Sequence, residues 1–359
     1  MARQHASTPT PERRSAGTIA GVRQPLSWPS DRPFRILSID GGGIKGIFPA
    51  SVLAAFERDL CGGRCAGDYF DLITGTSTGG IIALGLSVGI PAGDIRQMYL
   101  DHGAAIFPAR AGLSKWWRSI RKYGRYAYER EPLEAALLSV FGVRRLGEAR
   151  RRLCIPSFEG TYGEVFVFKT PHHPDFRLDW QQPMVAVALA TAAAPTFFKT
   201  FRSEGEVFAD GGVWANNPVM LGLVDALSTH DVERRQVEVL SISCGDLDVP
   251  FTAGQNAAGG IWHWKEIIKS AMHLQSLNAT GQAGLLIGRD HLTRIDPDEA
   301  SARIEMDDYA NAATRLPQAA ERAAADHLER VRHLFETVAE EAPAFHGPRT
   351  ETAPLLHFA

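Results

Sequence analysis

The sequence has no uninterrupted apolar run of the roughly 20 residues that a membrane-spanning helix needs. Its two most apolar stretches, Leu72–Ala92 and Met184–Phe198, are broken by Gly, Pro, Ser or Thr where tight turns fit, so a soluble chain is expected. Cysteine is scarce. Cys61, Cys65, Cys154 and Cys244 show no metal-type spacing beyond one C-x3-C, which argues against a disulfide framework and for reduced, incidental thiols in the cytoplasm. Neither charge dominates: a net charge of −3 gives no global electrostatic case for DNA or RNA. Lysine is rare, 7 against 31 arginines. Residues 1–33 are rich in Ser, Thr, Pro and Arg, lack the apolar core of a secretory signal, and read as a disordered tail. No internal repeat is visible.

What is present is a core. The 359 residues, 45% hydrophobic and 22% charged, suffice for one large α/β domain or two small ones. Strand Phe34–Asp40 leads through glycines into a helix around Pro49–Asp59. "YFDLITGTSTGGIIALGLSVG" gives a strand over about 69–74, a glycine-flanked turn and an apolar helix. Further strands are expected at 164–169, 206–209 and 237–243, and helices at 184–193, 218–227, 262–285 and 311–338. Strands alternating with helices predict a mostly parallel sheet covered on both faces. The body spans 34–345, with 105–160 read as a cap-like insertion and 346–359 as a second tail.

Gly41, Gly43 and Gly46 fit the spacing G-x-G-x-x-G of a dinucleotide loop. That fold also wants an acidic residue at the end of its second strand to hold a ribose. Here the second strand ends in Gly75-Thr76-Ser77-Thr78-Gly79, a G-x-S-x-G that puts a serine on a sharp strand-to-helix turn. On this reading the Gly41, Gly42 and Gly43 amides would stabilise the oxyanion formed when Ser77 attacks a carbonyl, each donor worth roughly 3 kcal/mol of barrier. Lys45 either adds charge there or faces solvent. Serine needs a base. His291 or His327 would satisfy a Ser–Asp–His chain order, but the better candidate is Asp210 in "FADGGVWANNP", where Gly211 and Gly212 permit close backbone approach. A simple Asp-Gly turn is the plain alternative for Asp210.

Asp40–Gly46, Gly75–Gly79 and Asp210–Gly212, in that order, resemble the D-G-G-G-x-[KR]-G, G-x-S-x-G and D-G-[GA] motifs of the patatin-like phospholipases. The likeness runs from about residue 34 to 340 through "ATAAAPTFF" (190–198), "NNP" (216–218) and "LSISCG" (240–245). It implies an α/β three-layer sandwich with a mostly parallel central sheet and a helical cap insertion, and it calls for no metal or cofactor. It implies a dyad: Asp210 takes the Ser77 proton, Ser77 attacks a membrane glycerophospholipid ester, and Gly41, Gly42 and Gly43 form the oxyanion hole. Gly75, Gly79, Gly211 and Gly212 are the supporting positions. Cys244-Gly245 departs from the Gly-Thr-Gly common in members and is expected to touch no catalytic position. The intact Ser77 and Asp210 argue against a silent lipid- or nucleotide-binding module.

Two features bear on control. "VFVFKTPHHPDF" (165–176) and "HLQSLNATGQAGLLIG" (273–288) resemble bacterial members that act in cyclic-nucleotide antiphage signalling. That resemblance implies a cyclic di- or trinucleotide activator, peripheral action on the inner membrane face, and a homo-oligomer. Lys169 in the first of these segments is a candidate contact for the activator. The stretch from Arg110 to Arg130 carries seven basic residues against one acidic, with five aromatics. Trp116 and Trp117 fall on one helical face, and Arg118, Arg121, Lys122 and Arg125 spread over the other. This composition suits an interfacial helix on an anionic membrane, a helix packed on the body, or a pocket for a phosphorylated regulator. His172, His173 and Asp175 are read as a structural loop rather than a metal site.

Overall fold

The computed structural model describes residues 23–108, 126–195, 197–245 and 267–350. Strand β1 (Leu26–Ser27) precedes β2 (Phe34–Ile39), and helix α1 (Ile47–Leu60), β3 (Leu72–Gly75), α2 (Thr78–Ser87) and α3 (Ala92–Ile106) follow. Next come α4 (Glu131–Phe141), β4 (Arg152–Glu159), β5 (Glu164–Lys169), α5 (Met184–Thr191), β6 (Phe201–Ser203) and β7 (Glu206–Asp210). Then α6 (Val219–Thr229), β8 (His230–Asp231), β9 (Val237–Ile242), α7 (Ile267–Ile287), β10 (Leu292–Ile295) and α8 (Tyr309–Val331) complete the order.

The strands β10-β9-β2-β3-β4 run parallel, while β5, β6 and β7 join antiparallel at one side. All six residues of β2 are buried, as expected of a strand covered on both faces. Alternate side chains enter different layers. Leu37 and Ile39 pack with Ile47, Val52, Phe56 and Leu316 on the α1 and α8 side. Phe34 and Ile36 pack with Val219, Leu223, Ala279 and Ala283 of α6 and α7 on the other. The chain is a three-layer α/β sandwich. No described helix is long and apolar enough to cross a membrane.

One strand organises the site. β5 covers one edge of β4 over Cys154–Glu159. The other edge is shared: β3 pairs with Arg152–Cys154, and β7 pairs with Ser157–Glu159. β3 runs parallel and β7 antiparallel to β4, so their C-terminal ends point at each other along that edge. Pro156 stands in the gap between them. Proline brings no N–H, so none is left unpaired where β3 has ended and β7 has not begun.

The structure corrects four boundaries. Residues 152–159, read within the insertion, form an interior strand of the sheet; Arg150–Arg152 and Pro156 disguise it by breaking the apolar pattern. Residues 23–33, read with the N-terminal tail, run along the body: β1 pairs with β8, and the Trp28 ring lies 4.6 Å from that of Phe34. The second tail begins later than residue 346, because Arg349 donates to the Ala149 carbonyl. The helix expected over 311–338 ends at Val331.

Behind β5 sits a buried ionic cluster. Lys169 donates to Asp225 Oδ1 at 2.7 Å, and His172 Nε2 bonds Asp225 Oδ2 at 2.8 Å. Burial disfavours the Asp225 charge, but His172 and Lys169 hold its carboxyl well below the usual range. Burial in turn pushes His172 toward the neutral imidazole, which still donates through Nε2–H. Lys169 therefore ties β5 to α6. Asp225→Ala should leave the part-buried Lys169 ammonium and the buried His172 without their acceptor and cost roughly 3 kcal/mol. Urea unfolding monitored by circular dichroism should show a clearly lower midpoint, and an unchanged midpoint would show that the cluster contributes nothing to stability.

Candidate active site

Ser77 lies between β3 and α2 with φ 55° and ψ −119°, a backbone conformation that side-chain-bearing residues rarely adopt. The turn closes because glycines flank it. A Cβ on Gly75 would fall 2.1 Å from the Gly79 carbonyl oxygen, and one on Gly79 would fall 2.3 Å from that of Ile39. The Ser77 N–H donates to Thr191 Oγ1 at 3.0 Å, and that hydroxyl donates to the Pro156 carbonyl at 2.6 Å. Thr191 thus links the serine turn to the gap in β4. Nothing but its place in "ATAAAPTFF" marked it in the sequence.

Asp210 ends β7 on the other side of that gap. Gly211 lies against the same proline: a Cβ there would stand 2.4 Å from the Pro156 carbonyl oxygen. Asp210 is buried, at 5% exposure. Its Oδ1 accepts the Gly212 N–H at 2.7 Å, and Ser77 stands near enough for its hydroxyl to favour the charged carboxylate. Burial pushes this carboxyl up to about 6, against the Ser77 hydroxyl and the Gly212 N–H, which lower it. Among the described residues no histidine is hydrogen-bonded to it. His327 is occupied with the Ala323 carbonyl on α8, and His291 stands in the turn before β10.

The glycine-rich loop after β2 passes beside Ser77, since a Cβ on Gly41 would stand 3.4 Å from Ser77 Cβ. Of the three expected donors, Gly41 is already spent: its N–H donates to the Asn216 main-chain carbonyl at 3.0 Å. The Gly42 and Gly43 amides have no acceptor among the described residues. Gly43 has φ 59°, and a Cβ there would collide with the Met306 carbonyl at 2.5 Å. Gly46 makes room for the Thr78 hydroxyl, which is bonded to Tyr99. Lys45 does not face solvent; it is buried and donates to the Gly245 carbonyl.

Two supports of this loop were not legible beforehand. Arg294 of β10 grips the buried Asp40 with both ends of its fork, at 3.0 Å to Oδ1 and 2.6 Å to Oδ2. Cys244, expected to touch nothing catalytic, packs on the loop: a Cβ on Gly42 would fall 2.3 Å from its Cβ, and its thiol donates to the Asp40 carbonyl at 3.3 Å. Asn216 is the third surprise. Its buried Oδ1 has no partner among the described residues and lies beside both Gly41 and Gly212.

Trp116, Trp117, Arg118, Arg121, Lys122 and Arg125 lie outside the described residues. His172 and His173 make separate hydrogen bonds, to Asp225 and to the Gln24 carbonyl at 3.0 Å. The chemistry the site can perform is acyl transfer. A hydroxyl on a strained turn stands beside a buried carboxylate whose proton affinity burial raises, with two uncommitted amides on the adjoining loop.

A family model described as Patatin-like phospholipase matches residues 37–223. An Escherichia coli protein described as cGAMP-activated phospholipase is 34% identical over 311 residues, covering 78% of this chain and 86% of that protein. A Pseudomonas aeruginosa protein of the same description is 32% identical, covering 88% of this chain and 96% of that protein. A Vibrio cholerae protein, again so described, is 35% identical over 66% of this chain and 73% of that protein.

The raised Asp210 carboxyl can be seen without turnover. Its side-chain 13C resonance should titrate with a midpoint near pH 6, about two units above an ordinary aspartate. In Ser77→Ala the midpoint should move higher still, because a hydrogen bond that favours the charged form is gone. A midpoint near 4 would show that the carboxyl is better solvated than its burial indicates.

Proposed function

Since this chain belongs to the patatin-like phospholipase family, we propose that it is a lipid acyl hydrolase of phospholipase A type, working through a Ser77–Asp210 dyad. The observation that carries this is a serine on a strained turn set against the buried Asp210, whose carboxyl burial pushes up to about 6 and whose charged form Ser77 favours. At pH 7 Asp210 is largely ionised, yet its proton affinity is far closer to neutrality than that of a surface aspartate. That is the compromise a general base needs.

The steps in this reading are these. Ser77 Oγ bonds to the ester carbonyl carbon as its proton passes to Asp210. The carbonyl oxygen becomes an oxyanion, met by the Gly42 and Gly43 N–H groups; Gly41 holds the loop in place through Asn216. Collapse breaks the bond to the glycerol oxygen, which leaves with the Asp210 proton as a lysophospholipid hydroxyl. Water then attacks the acyl-enzyme and gives a proton to Asp210. Fatty acid is released, and the proton returns to Ser77 Oγ. The unpartnered Asn216 Oδ1 beside Asp210 is an acceptor suited to holding that water.

The substrate in this reading is membrane glycerophospholipid, and the enzyme acts peripherally on the inner membrane face. Relatives described as cGAMP-activated phospholipases support a cyclic nucleotide as the switch and a role in antiphage defence. Activation requires tighter nucleotide binding to the active arrangement than to the resting one. A change in homo-oligomeric state is one way to make that difference.

Ser77→Ala should abolish ester hydrolysis and labelling by a fluorophosphonate probe, while Asp210→Asn should lower turnover by roughly 10²–10⁴-fold. Near-normal turnover by either variant overturns the dyad, and equal damage from His291→Ala or His327→Ala would replace it with a triad. The pH profile gives a separate check. Asp210 must be ionised to take the proton, so kcat/KM on a short soluble ester should rise through about pH 6 and level off above it. Fatty-acid release from phospholipid should be low alone and rise with one member of a cyclic-nucleotide panel. Full activity without nucleotide would leave an unregulated lipase.

A further inference from the structure

Between α7, β10 and α8 lies a cavity of about 600 Å³, within the usual range for small-molecule sites. Arg289, Arg294 and Arg330 line it with His273, Thr280 and Ser276. Its one carboxylate, Asp296, is paired with Arg294 at 3.2 Å. Arg289 and Arg330 have no carboxylate partner among the described residues, and Arg330 reaches only the Leu292 carbonyl, at 3.3 Å. Ser276 is 3% exposed, and its hydroxyl has no partner among the described residues. A buried hydroxyl without a partner, beside unpaired guanidinium groups in an open cavity, is a site equipped for a phosphate-bearing ligand.

Two connections lead from this cavity to the dyad. Arg294 forms part of its wall and grips Asp40, the residue that leads into the glycine loop. Helix α7 forms another wall and holds Asn217: Gln275 accepts the Asn217 N–H at 3.0 Å, and Asn217 donates to Thr280 at 2.9 Å. The adjoining Asn216 carbonyl holds the Gly41 N–H. Asp40 and Gly41, the first two residues of the loop that passes Ser77, are therefore anchored to the walls of one cationic cavity.

We propose that this cavity is the effector site, that its ligand is a cyclic dinucleotide, and that Arg289, Arg330 and Ser276 receive a phosphodiester. The assignment rests on the nucleotide-activated reading above. Once bound, the ligand draws α7 and β10 into one arrangement and fixes Asp40 and Asn217, so the oxyanion loop and the dyad are set together.

The test is direct binding to the full chain carrying Ser77→Ala, so that lipid turnover does not enter. Fluorescent cyclic dinucleotides, cGAMP among them, are titrated by anisotropy. Arg289→Ala with Arg330→Ala should weaken binding by about tenfold or more, and affinity in the unaltered cavity should fall with added salt. Gly281→Trp should do the same without removing charge, because a Cβ at Gly281 meets nothing within 4 Å and the ring enters open space. Binding that is unchanged in both variants overturns the cavity and leaves nucleotide activation standing. Failure of every cyclic nucleotide to bind the unaltered cavity overturns both. If phosphatidylglycerol vesicles alone bind, and lose binding in the two variants, the phosphate is a lipid headgroup and the nucleotide assignment falls.

Discussion

The site depends on one edge of β4, which two strands share end to end. β3 arrives parallel and leaves at Gly75, while β7 arrives antiparallel and stops at Asp210 opposite Ser157. A sheet edge admits one partner at each position, so the two chain ends are forced into proximity where neither has a partner strand. Pro156 fills that gap with a carbonyl but no N–H. The carbonyl accepts from Thr191, and Gly211 packs against it. A parallel strand followed by a helix produces the elbow, and an antiparallel strand ending against it supplies the carboxylate. No long-range charge attraction is needed to bring them together.

Three buried aspartates show how the environment sets the role of a carboxylate. Asp225 has Lys169 and His172 and is held firmly ionised. Asp40 has the Arg294 fork. Among the described residues Asp210 has only a hydroxyl and an amide, and desolvation wins, leaving it near 6. The first two are locked and serve as struts. The third lacks a cationic partner, so its proton affinity stays available for chemistry.

The same logic explains why the loop after β2 is so rich in glycine. Its neighbours are Asn216, Cys244, Met306 and Thr78, each close enough that a side chain would collide. The spacing that resembles a phosphate loop is here a packing requirement, and the amides left over at Gly42 and Gly43 are its chemical product. Arg294 and Asn217 then tie this rigid loop to the helix and strand that border the cationic cavity.

The sequence alone determined the α/β class and the covered parallel sheet, and it singled out Ser77 and Asp210. These rest on local patterns: apolar periodicity, a glycine-flanked serine, and glycines after an acid. It misread β4, since three arginines and a proline hid a buried strand, and it credited Gly41 with an amide that Asn216 uses. The roles of Thr191 and Arg294 escaped it, and it expected Cys244 to touch nothing catalytic. Their roles come from contacts between segments far apart in the chain, as with Arg294 on Asp40, and no local pattern records which residue will end up opposite which. Only the tertiary structure decided that, because strand order and register set those distances.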